Sequence, residues 1–215
     1  MAEGAFKIIL ALDISILPIR NIHLIEPYVA GFKVGLELFC SQGPTVLDDL
    51  MEITDKPIFL DLKLLDIPTT IEKTIEPFRK YSTLRWLSVH GIGGIDMLKA
   101  AHEAASGSFD IAVVSQLTSQ DHHLARVEQA LADACKVGIK SAVIPPWMLW
   151  RFREYYSSLT FLCPGIRMGY KIDDHKYAYT PQQAINAGAD FIIIGRPITQ
   201  TSNWAETVQK IKGDI

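Results

Sequence analysis

KIILALDISILPIR, residues 7–20, begins as a short apolar run ending on Asp13, and the segment that follows it contains no glycine. A doubly wound sheet that grips a dinucleotide carries G-x-G-x-x-G after its first strand, where the backbone must approach a pyrophosphate. That signature is missing here. Seven further apolar runs follow: GFKVGL (31–36), PIFLDLK (57–63), RWLSVH (85–90), DIAVVSQL (110–117), SAVIPP (141–146), TFLCPG (160–165) and DFIIIG (190–195). Segments between them show helical spacing, as in Leu98, Ala101 and Ala105, or Val127, Ala130, Leu131 and Ala134. Strand and helix in alternation imply a parallel sheet. Eight such units either close into a (β/α)8 barrel or lie open, and the missing glycines decide for an α/β protein built as a single-domain TIM barrel over residues 1–215. Asp13, Lys33, Asp61, Lys63, His90, Gln116, Thr118 and Arg196 fall at the carboxyl ends of the predicted strands, the face on which barrels build active sites.

Composition narrows the partners. With 21 basic and 24 acidic residues the formal charge is −3, which excludes a nucleic-acid surface held by bulk positive charge. Cys40, Cys135 and Cys163 are odd in number and widely spaced, which predicts free thiols in a cytoplasmic protein and neither a disulfide framework nor structural zinc. No stretch approaches the roughly 18 apolar residues of a membrane span, and the amino terminus lacks a signal-peptide cleavage pattern.

FLDLKLLDIPTT, residues 59–70, sets three charges into an apolar strand and the turn after it. Strand side chains alternate, so Asp61 and Lys63 share one face and Leu60 and Leu62 the other. Lys33, on the neighbouring strand, can join them, with Asp66 just beyond. Buried ionic networks seldom stabilise better than apolar packing, so such a set points to chemistry. A carboxylate beside a substrate anion repels it, and a lysine flanked by carboxylates is a positioned proton donor. Both suit loss of carbon dioxide, and aldol or proton-transfer chemistry on a phosphorylated substrate fits the same residues. Near the carboxyl end, GIR (165–167) and GRPIT (195–199) fall where barrels hold phosphate on outward backbone N–H groups, with Arg196 offering a planar fork of donors.

Taken together, ALD, FKVG, D-x-K-x-x-D-I-P, LTS, PGIR and IGRPIT, in that order, resemble bacterial orotidine 5'-phosphate decarboxylases over nearly the whole chain. The resemblance implies a homodimeric barrel that converts orotidine 5'-monophosphate to uridine 5'-monophosphate, the last step of pyrimidine biosynthesis, with no metal or organic cofactor. It implies Lys63 as proton donor to C6, Asp61 against the departing carboxylate, and Lys33 and Asp66 completing a Lys-Asp-Lys-Asp network. Asp66 and Thr70 would enter the partner's site. Asp13 would hold ribose hydroxyls, Thr118 the pyrimidine edge, and Arg167, Gly195 and Arg196 the phosphate.

The chain departs from the family pattern in two places. KLLDIPTT replaces the usual K-F-H-D-I-P-N-T with its charges intact, and His175 stands where the family has a lid glutamine, a role that Gln182 or Gln183 could fill instead. Metal-dependent keto-sugar-phosphate decarboxylases and hexulose-phosphate synthases share D-x-K-x-x-D but place an acidic metal ligand where this chain has Lys33. A catalytically silent nucleotide-binding barrel is the remaining alternative. Other residues invite plainer readings. His90 serves the site or a structural hydrogen bond, His122 and His123 face solvent, GIGG (91–94) turns into a helix, Trp147 and Trp150 pack one, and Cys163 is no nucleophile.

Overall fold

The computed structural model describes residues 7–117, 123–168, 179–213 and 215. Its strands are β1 (Ile8–Leu12), β2 (Gly31–Gly35), β3 (Ile58–Leu64), β4 (Leu84–His90), β5 (Asp110–Val114), β6 (Ser141–Val143), β7 (Thr160–Cys163) and β8 (Phe191–Ile194). The helices are α1 (Ile19–Ile25), α2 (Leu36–Gln42), α3 (Thr45–Ile53), α4 (Pro68–Ile75), α5 (Gly94–Ala105), α6 (Leu124–Lys136), α7 (Pro146–Phe152), α8 (Pro181–Asn186), α9 (Arg196–Thr199) and α10 (Trp204–Gly213). The strands pair in parallel in chain order, and β1 closes on β8 through Ile8–Ile192, Ile9–Ile193 and Leu10–Ile194. The fold is a (β/α)8 barrel. All eight predicted runs became strands, and proline at 145 and 146 ends the sixth early by starting α7.

Period-two alternation sorts each strand into two faces. Ile8, Leu10, Leu12, Phe32, Val34, Ile58 and Leu60 point outward and join the helices' buried faces in one shell. Ile9, Ala11, Phe59, Trp86, Ala112, Val114, Val143, Leu162 and Ile193 fill the cylinder. Trp86 plugs it: its ring meets Phe59 and Phe191 edge-on at 6.4 and 5.2 Å, and its Nε1–H donates to Ser141 Oγ at 3.2 Å. Each fully buried aliphatic side chain contributes roughly 1.5–3 kcal/mol. Closing the cylinder with apolar residues below leaves the inward positions at the carboxyl ends of β1–β4 to polar side chains, Lys33, Asp61 and Ser88 among them.

Candidate active site

Lys33 sits mid-strand on β2, only 7% exposed, between outward-facing Phe32 and Val34. Its Nζ donates to Asp13 Oδ1 at 2.8 Å and lies 3.5 Å from Asp61 Oδ2. Lys63 Nζ donates to the same Asp61 Oδ2 at 2.6 Å. The other oxygen, Asp61 Oδ1, accepts from Ser88 Oγ at 2.9 Å. Gly35 makes room for this arrangement, since a Cβ there would lie 2.7 Å from both Asp13 Oδ1 and Lys33 Nζ. Its φ of −96° is open to any residue, so space and not backbone freedom requires the glycine.

Charge state follows from these contacts. Burial is the largest influence on Lys33 and acts to lower its pKa, but the Asp61 and Asp13 carboxylates together outweigh it and hold the ammonium above its ordinary value. Burial likewise pushes Asp61 upward, and the Lys33 and Lys63 charges, with the hydrogen bonds from Lys63 and Ser88, bring its pKa below the usual carboxylate value. Lys33 and Asp61 therefore stay ionised at neutral pH. Desolvating each ion costs several kcal/mol, so the set is poor scaffolding and good preorganised electrostatics.

β3 is not a regular strand where it delivers Lys63. Its pairing with β4 runs Leu60–Leu87 and then Leu64–Val89, a register shift, and Lys63 adopts φ +50°. For a residue with a Cβ that region costs about 1 kcal/mol, so the surroundings must hold it. Ser88 does so by accepting the Lys63 N–H at 2.8 Å. Period-two alternation anticipates Asp61's face correctly. It misses the bulge, and it misses Ser88, whose signal was a serine with the inward parity of Trp86 on the neighbouring strand.

The network lines a cavity of about 340 Å³ at the carboxyl ends of the strands. Arg167, Gly195 and Arg196 line it too, and Val114, Val143 and Ile193 contribute an apolar wall. Charges of the sheet's first half thus share one pocket with two arginines from its last quarter. Among the described residues, no three of His, Cys, Asp and Glu gather as a metal site.

Residues 7–211 match the family described as orotidine 5'-phosphate decarboxylase / HUMPS. A curated orotidine 5'-phosphate decarboxylase of Gloeothece citriformis is 36% identical, across 95% of each chain. The chain belongs to the orotidine 5'-phosphate decarboxylase family and is a carboxy-lyase. The decarboxylase of the same name from Wolbachia pipientis is 35% identical over 85% of this chain and 86% of its own. The crystal structure of orotidine 5'-phosphate decarboxylase from Lactobacillus acidophilus superimposes with a TM-score of 0.78 at 27% identity, covering 97% of this chain and 98% of that one.

The other positions that the orotidine 5'-phosphate decarboxylase resemblance singled out divide between this cavity and the surface. Asp66 is exposed ahead of α4, its Oδ1 accepting the Ile67 N–H at 2.7 Å, and Thr70 is exposed on α4. Neither lines the cavity of its own chain. Asp13 does line it, with its Oδ1 engaged by Lys33. Arg167 Nη1 donates to the Ile166 carbonyl at 2.9 Å. Thr118, His122 and His175 lie outside the described residues. Of the glutamines proposed to replace the family's lid residue, Gln183 is tied into a reciprocal cap with Thr180 and Gln182 donates to Asn186.

The remaining readings divide. His90, half-buried at the end of β4, has a lowered pKa, first from burial and then from the Lys63 charge against the opposing pull of Asp61. His123 is exposed, as expected. GIGG becomes a short 3-10 turn entering α5, and Gly91 is needed because a Cβ there would press on Ala130 at 2.4 Å. Trp147 packs beside Tyr179, but Trp150 does not pack: the stripe centred on Met148 and Phe152 leaves it on the opposite side of α7. Cys163 is fully buried, and burial above all pushes its thiol pKa far up.

Proposed function

We propose that this chain decarboxylates orotidine 5'-monophosphate to uridine 5'-monophosphate and CO2 in pyrimidine biosynthesis, without a metal ion or organic cofactor. The observation that carries it is the Lys63 ammonium bonded at 2.6 Å to a buried Asp61 carboxylate, inside a cavity that also holds Arg167 and Arg196. With the nucleotide's phosphate on Arg167, Arg196 and the Gly195 backbone, and its ribose on Asp13, the C6 carboxylate meets Asp61. Repulsion between the two carboxylates is relieved as the C6–carboxylate bond breaks. CO2 leaves as a neutral gas and the bonding pair stays on C6. Lys63, charged and aimed at that carbon, stabilises the growing negative charge and then delivers its proton, later regaining one from water. Lys33 keeps Asp61 ionised and oriented. Phosphate contacts remote from C6 supply binding energy for holding the base against the charges. Thr118 is assigned the pyrimidine edge.

The same reading makes the active unit a homodimer, with Asp66 completing the network and Thr70 assisting across the interface. Support comes from their exposure and from that of Leu36, Leu65, Ile67, Ile92 and Ile95, large apolar side chains left uncovered on the segments after β2, β3 and β4. Residues 1–215 act as one catalytic domain in the cytoplasm, on a small-molecule substrate, with no role for nucleic acid or a membrane. In keeping with this, Cys40, Cys135 and Cys163 are free thiols, and no described helix is long and apolar enough to cross a membrane. A metal-dependent relative's chemistry fits less well, because the Lys33 ammonium would oppose a divalent cation beside Asp61.

Following the ultraviolet change of orotidine 5'-monophosphate with purified protein in excess chelator tests the proposal. Wild type is expected to turn over, and Lys63→Ala to lose about 100-fold or more, the contribution of a positioned acid. Activity that appears only when magnesium is added would overturn it.

A further inference from the structure

We infer that Ser88 is a positioning residue of this site, its hydroxyl locking the Asp61 carboxylate and the Lys63 backbone into one geometry. The side chain is fully buried on β4, the strand beside the one that carries both charged residues. A hydroxyl has one proton to donate and lone pairs to accept with. Ser88 uses both: Oγ donates to Asp61 Oδ1 at 2.9 Å and accepts the Lys63 N–H at 2.8 Å. One atom therefore bridges the two ends of the irregular stretch of β3.

The division of labour on Asp61 follows. With Oδ1 held by a neutral donor, Oδ2 is left to the Lys63 and Lys33 ammoniums at 2.6 and 3.5 Å. The plane of the carboxylate, and with it the aim of the Lys63 amine, is set by Ser88. At φ +50° the Lys63 backbone has few ways to be retained, and losing its N–H partner would let the residue relax toward an ordinary strand conformation that carries Nζ elsewhere. Titratable groups face Asp61 from each neighbouring element: Lys33 on β2, Lys63 on β3 itself, His90 on β4, and Asp13 beyond Lys33 after β1.

This inference rests on the decarboxylase reading for its kinetic arm and is tested separately from it. Ser88→Ala, Ser88→Thr and Ser88→Cys are compared with wild type for kcat and KM on orotidine 5'-monophosphate across pH, and for the titration of the Asp61 carboxyl by carbon NMR in ligand-free protein. In Ser88→Ala, kcat is expected to fall about 100-fold, the penalty for misplacing a reacting group by about an ångström, with KM nearly unchanged. Its acid limb should move to higher pH, because Asp61 has lost a hydrogen bond that favoured its charged form. Ser88→Thr keeps the oxygen and should restore both. A merely structural serine would lower the folded fraction and leave the limb where it is. Wild-type kcat and an unshifted Asp61 titration in Ser88→Ala would overturn the inference. If that variant does not fold, Ser88→Cys, near in size with a weaker donor, decides by the same two readouts. An inactive wild type would sink the decarboxylase reading alone, since the NMR titration still reports on Ser88.

Discussion

Asp61 is bound from three strands: by Lys33 on β2, Lys63 on its own β3 and Ser88 on β4. Its ionisation is thereby tied to folding. A carboxyl whose folded pKa lies below its unfolded value of about 4 contributes stability that is present above that value and lost as pH falls through the folded one. Lys33 is raised, so its contribution is present below the unfolded value of about 10.5 and lost as pH rises through the folded one. Thermal unfolding followed across pH should be flat between these limits for this pair and fall at both ends. In Asp61→Asn both flanks should flatten, the acid one because the carboxylate is gone and the alkaline one because Lys33 has lost its foremost countercharge. Flanks identical to wild type would mean that the pair does not act as one unit. Sequence alone showed which face Lys33 and Asp61 take, because both sit in regular strands where parity decides. It could not show how Lys63 reaches Asp61: a bulge and a left-handed residue arise from pairing with β4, some 25 positions away in the chain.

At the scale of elements, the two ends of the barrel divide chemistry from stability, as the placement of conserved chemistry in barrels leads one to expect. At the amino ends of β7 and β8, Asp190 Oδ2 accepts from Arg153 Nη1 at 2.8 Å and from the Phe161 N–H at 2.7 Å, and the Arg153 guanidinium lies 5.3 Å from the Phe161 ring centre. Arg153 also donates to the Leu159 carbonyl at 3.1 Å. This clamp joins the end of α7 to two strands, far from the cavity's charges. Asp190→Ala strands the Phe161 N–H and the guanidinium, a loss of about 2 kcal/mol for partly buried groups. Calorimetry should show a Tm lower by roughly 4–8 °C, the shift such a loss produces in a chain of this size. Turnover at 25 °C should match wild type, and a drop in kcat out of proportion to folded protein would refute the separation. Nothing in the sequence pairs Arg153 with Asp190, because the contact spans 37 positions and neither residue breaks a pattern. The eight strands, in contrast, were legible from their short apolar runs, since burial on both faces leaves most of their positions apolar.

For the whole molecule, the question is whether one barrel is a complete catalyst. Its cavity holds Lys33, Asp61 and Lys63, whereas Asp66 turns outward on the same D-x-K-x-x-D run, three residues after Lys63. Ile67, next to it in the chain, and Ile92, in the turn after β4, are 66% and 62% exposed. Burying such side chains against a second copy is favourable, and a two-fold interface brings the same patch from both subunits, so each Asp66 would be carried toward the other's pocket. Subunit mixing discriminates this from a site completed within one chain. Lys63→Ala and Asp66→Ala proteins should each be nearly inactive on orotidine 5'-monophosphate. Unfolded together and refolded at equal amounts, they form heterodimers in which one of the two pockets has an intact Lys63 from one chain and an intact Asp66 from the other, so about a quarter of wild-type activity should return. If Asp66 served its own chain, every pocket in the mixture would lack one residue or the other, and no activity would come back.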